Sequence, residues 1–127
     1  MLMRHHWYDK TVFVIAAVFN LSTAAILIFR PDFVLARFGI SDPMAKWLAR
    51  SLASSVATWG LAYALIVVNP VRFREFVRLG IVSKTFFFTI YAVAFFSNAI
   101  AFLAFIPALI DLVLALLFAE YWWRTRT

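Results

Sequence analysis

The chain has 127 residues, 65% of them hydrophobic and only 14% charged, whereas soluble domains carry about 25% charged residues. With a mean hydropathy of +0.92, this composition describes a chain solvated by lipid. The net charge of +6 sits at the ends of apolar runs, which points to lipid headgroups as counterions and not to nucleic acid. The absence of cysteine excludes disulfides, thiolate nucleophiles, iron–sulfur ligation and cysteine–zinc sites.

The opening MLMRHHWYDK mixes bases with Trp7 and Tyr8, as expected where a chain meets a membrane surface. His5 and His6 are adjacent and not three or four apart, so no metal site is read there. Residues 11–29 form the first expected span, too long for the apolar core of a secretory signal and lacking a cleavage pattern, and so expected to be retained. The stretch PDFVLARFGI follows, with proline suited to a first helical turn and Gly39 placed to stop it. It reads as a short helix lying in the interface. Ser41-Asp42-Pro43 then supplies a capping residue before proline, opening a second span over 43–68 that Asn69-Pro70 ends.

The third span, 73–97, starts with Arg72, Arg74 and Arg78 beside Glu75, bases suited to lipid headgroups, and closes at Ser97-Asn98. Residues 99–106 are apolar but run into Pro107, and read as a loop with a short helical turn. The alternative is the first turns of a fourth helix kinked at the proline. The fourth span is taken as 107–123, followed by Arg124 and Arg126. The fold class is therefore all-α, a four-transmembrane-helix bundle forming one integral membrane domain, with a short interfacial helix between helices 1 and 2. Excluding Lys84 as intramembrane, seven bases fall on the side of the termini and four, Arg30, Arg37, Lys46 and Arg50, on the other. That bias predicts both termini in the cytoplasm, in a bacterial inner membrane.

Charged groups inside a bilayer are costly and face a bundle interior or a partner. On the second helix Arg50, Ser54 and Thr58 share one stripe, beside a small-residue stripe of Ala45, Ala49, Ala53, Ala57, Gly60 and Ala64 that invites close helix approach. With the fourth helix starting at Pro107, Arg50 and Asp111 both stand within about 10 Å of the same end, which predicts an ion pair between them. The same depth argument pairs Lys84 with Glu120. The Arg50 and Asp111 pair reads either as a structural register contact or as a ligand or proton site, with Asn20, Ser54, Tyr91 and Asn98 able to face the same space.

Nucleotide-binding, zinc-protease and nucleophile-elbow motifs are missing, which argues against a self-contained hydrolase. The segment PDFVLARFGISDP, the RLGIVSK that opens the third helix, and the acid-bearing DLVLALLF together resemble the broad DoxX-like group of small four-helix bacterial membrane proteins. Unlike its better-known members, the first helix here carries no glycine. The resemblance implies either a quinone-linked redox role or an accessory role in a membrane complex. Three functions are thus expected in order: a non-catalytic accessory subunit of a larger membrane complex, or a homo-oligomer; a quinone- or lipid-binding redox subunit; and a proton-coupled small exporter. No metal or other cofactor is expected beyond a quinone or lipid.

Overall fold

The computed structural model describes residues 2–125, with side chains from His6 onward. The side chains of Arg4 and His5, and the whole of Arg126, lie outside the described residues. Five helices follow in order: α1 (Leu2–Phe29), α2 (Pro31–Arg37), α3 (Pro43–Val68), α4 (Arg74–Phe96) and α5 (Phe102–Arg124). Four of them are long and apolar enough to cross a membrane, α2 being the exception. A 23-residue helix such as α4 is about 34 Å long, enough for a hydrocarbon core about 30 Å thick.

Local chemistry sets most helix ends. Asp42 caps α3 by accepting the Met44 N–H at 2.9 Å, with Pro43 in the first turn, where its missing N–H costs nothing. Gly39, at φ +70°, takes the left-handed conformation that stops α2, and Asn98 does the same after α4 at φ 63°. Asn69 ends α3, and its side-chain oxygen accepts the Arg72 N–H at 3.1 Å.

Two boundaries differ from expectation. First, α1 is helical from Leu2, so the interfacial segment and the first span form one continuous helix. Second, α5 starts at Phe102 and carries Pro107 inside it. Residues 102–106 are therefore helix and not loop. The proline removes one N–H, yet a single lost bond near a helix start does not outweigh five more apolar positions facing lipid or core.

The bundle consists of two close antiparallel pairs, α1 with α3 and α4 with α5, joined by narrower seams between α3 and α4 and between α1 and α5. The small stripe of α3 explains the first pair. Ala49 and Ala53 pack against Ala24 and Leu27, while a Cβ at Gly60 would meet Leu21 at 2.8 Å and Asn20 at 3.2 Å. Between the pairs lies an aromatic core of Phe13, Tyr63, Ile66, Val77 and Phe118, each 2% exposed or less. Large apolar side chains such as Val18, Leu61, Phe86, Ile90 and Leu116 point outward on every long helix. That is the reverse of a soluble protein and the expected outer surface of a chain in lipid. The molecule is a multi-pass membrane protein.

At the end shared by the two termini, Arg124 binds Asp9 and Glu120, joining α5 to α1. Arg74 donates to the Thr125 hydroxyl at 2.6 Å and the Trp122 carbonyl at 3.2 Å, and lies over the Trp122 ring. At the opposite end α2 packs on the α1–α3 pair through Val34, and Phe38, just after it, meets Tyr91 of α4.

Candidate functional site

Near mid-bundle, the Lys84 ammonium of α4 contacts the Asp111 carboxylate of α5 at 2.5 Å, both groups being buried. Asn20 of α1 completes the cluster. Its oxygen lies 3.4 Å from the ammonium, and its amide donates to the Val56 carbonyl of α3 at 3.2 Å. All four long helices thus meet at one polar point, with the Tyr63 ring 5.1 Å and the Phe19 ring 5.8 Å from the ammonium.

Neither expected pairing forms, and depth alone does not choose the partner, since Asp111 stands between the depths of Arg50, about 11 Å from Pro43, and Lys84. Counted from Phe102, Asp111 stands about 14 Å from the α2 end of the bundle and Lys84, counted from Phe96, about 18 Å, within reach of a lysine side chain. Glu120 lies about 27 Å from that end. It pairs with Arg124, one turn further along its own helix, and not with Lys84. Arg50 does not meet Asp111 either. Its Nε donates to the Ile28 carbonyl at 3.0 Å and its guanidinium lies over Trp47. The last carbonyls of a helix have no partner within it and carry partial negative charge, so Arg50 acts as the C-terminal cap of α1.

Of the remaining candidates, Asn20 joins the cluster and the others do not. Ser54 is exposed and turns its hydroxyl onto the Ser51 carbonyl. Asn98 is exposed in the turn after α4. Tyr91 is half-buried toward the α2 end, where it touches Phe38 and Phe87. Among the bases at the start of α4, Arg74 is held by α5, Arg78 binds Glu75 at 2.7 Å, and Arg72 is exposed beside Phe73. No group of three metal-ligating side chains occurs among the described residues.

The ion pair forms part of the wall of a cavity of about 130 Å³. Phe19, Trp59, Tyr63 and Phe87 supply aromatic walls, and Ser55 and Ser83 supply hydroxyls. Leu52 and Ser55 of α3 are exposed beside Ser83 and Phe87 of α4, and Pro107 of α5 is exposed as well, so the cavity is open at its rim. Toward the termini it is closed by Phe13, Tyr63 and Phe118, whose rings are packed at centroid distances of 4.9 and 5.2 Å. Sequence reasoning missed Trp59, Tyr63 and Ser55. Their signal was the spacing 52, 55, 59, 63, one helical face flanking the small stripe.

Fold and site together define a four-helix membrane bundle with a charged, partly open cavity at its centre. Comparison with protein-family models, curated proteins and solved structures returned no match.

Proposed function

We propose that this chain binds a lipophilic small molecule of the quinone or lipid class inside the bilayer, its polar head beside Lys84, Asp111 and Asn20. The observation that carries the reading is the cavity itself, a polar floor with aromatic walls and an exposed rim. A ligand site of this kind is mostly apolar with a few convergent polar groups. The volume suits a head of one ring or less, since a cavity of roughly 150 Å³ holds benzene. A tail would leave across that rim.

The test is extraction of the protein from nanodiscs assembled in native lipid, with mass spectrometry of what it retains. The expected result is a stoichiometric lipophile lost from the Lys84→Met/Asp111→Leu double variant. Retention of nothing, or equal retention by that variant, overturns the reading.

The accessory-subunit reading rests on the small-residue stripe of α3 and on the missing catalytic motifs, and α1 of the same chain covers that stripe. The exporter reading needs a carboxylate that both sides can reach. Here Asp111 is held by Lys84, and the aromatic core seals the terminal side. We further propose a bacterial inner-membrane location with the terminal end of the bundle in the cytoplasm, supported by the excess of bases there.

A further inference from the structure

Resting on the binding reading above, the charges of the cavity narrow its ligand. Lys84 and Asp111 neutralise one another, Asn20 takes a further ammonium contact, and no buried polar side-chain atom lacks a partner among the described residues. An anionic head that captured Lys84 would strand the Asp111 carboxylate, and a cationic head that captured Asp111 would strand the Lys84 ammonium. Removing one partner from a buried ion pair is strongly unfavourable, and here the stranded charge would stand in the middle of a membrane.

The hydroxyls of the wall point the same way. Of the three serine and threonine hydroxyls that line the cavity, that of Thr23 is turned onto the Phe19 carbonyl of its own helix. Ser55 and Ser83, which line the cavity from α3 and α4, make no such bond. They offer two neutral groups, each able to donate and accept, to whatever occupies the space. We infer that the ligand carries an uncharged hydrogen-bonding head, a hydroxyl or carbonyl, on an apolar tail, and that it reaches the cavity sideways from the bilayer between α3 and α4.

Three photoreactive probes with the same long alkyl chain, ending in an alcohol, a carboxylate or an ammonium, are offered to the full chain in nanodiscs, and adducts are mapped by mass spectrometry. The expected result is labelling of the peptides carrying Ser55, Trp59, Ser83 and Phe87 by the alcohol, about tenfold or more above either charged probe. Equal or stronger labelling by a charged probe overturns the neutral-head inference while leaving a binding cavity in place. If no probe labels the cavity, the binding reading falls with it. Ser55→Trp, and independently Leu52→Trp on the same rim, should suppress the alcohol adducts while the helical circular dichroism is unchanged; persistence of the adducts in both folded variants overturns sideways passage.

Discussion

At the scale of single residues, the pairing of Lys84 with Asp111 separates two roles that the sequence leaves entangled. A buried pair is a poor stabiliser in itself, because desolvation offsets most of the attraction, but a half-broken pair is severely unfavourable. Lys84→Met or Asp111→Leu alone should therefore destabilise the bundle by about 3 kcal/mol, and the double variant should recover most of the loss. Reversible unfolding in mixed detergent micelles measures all four corners of that cycle; additive single effects would contradict a direct pair. Arg50→Met should behave differently. It removes one hydrogen bond to the exposed end of α1, where water can replace it, so a loss of about 1 kcal/mol is expected. If Arg50→Met proved as damaging as Asp111→Leu, the assignment of Arg50 to the end of α1 would be untenable.

At the scale of elements, close approach depends on glycine at Gly60, against Leu21, and at Gly80, against two rings. A Cβ at Gly80 would stand 3.0 Å from Tyr63 Cε1 and 3.2 Å from Phe118 Cε2, two rings that are themselves fully buried and cannot swing aside. Gly80→Val should therefore overpack the seam and destabilise by about 1–3 kcal/mol, despite valine's better helix propensity. A thermal shift that rose or stayed level would show that the aromatic core is looser than its geometry. Helix ends were legible in the sequence wherever one residue decides them: Asp42-Pro43 starting α3, Gly39 stopping α2, Ser97-Asn98 closing α4. The start of α5 was not. Residues 99–106 are apolar whether looped or helical, and Pro107 is a breaker in one context and tolerable in the other. That five-residue uncertainty moves every group on α5 by about 7 Å in depth, as much as separates Arg50 from Lys84. Asp111 was thus recognisable as needing a partner, and Lys84 as intramembrane, but their union also required the helix facing that turns Arg50 onto the end of α1 and Lys84 inward, which only packing settles.

At the scale of the whole molecule, the two ends of the bundle differ. Arg124 with Asp9 and the Phe13–Tyr63–Phe118 core join the helix pairs toward the termini, while the Lys84 cavity and α2 lie toward the far side. The direction in which this asymmetric body is inserted decides which leaflet meets the cavity's half of the bundle. Insertion direction follows Lys and Arg in short flanking segments, with acids contributing little, so the internal pairing of Arg124 and Arg74 does not cancel their topological weight. The terminal side leads by seven bases to four. A green-fluorescent fusion at the C-terminus should therefore be bright and an alkaline phosphatase fusion there inactive. Changing Arg72 and Arg78 to Ser removes two of the seven while sparing Arg74, whose contacts with α5 hold the fold. The remaining margin of one base should yield a mixed population, with phosphatase activity rising and fluorescence falling together. A C-terminal phosphatase that is active in the unaltered chain would reverse the assignment and place the terminal end, with its ion pairs and aromatic core, outside the cell membrane.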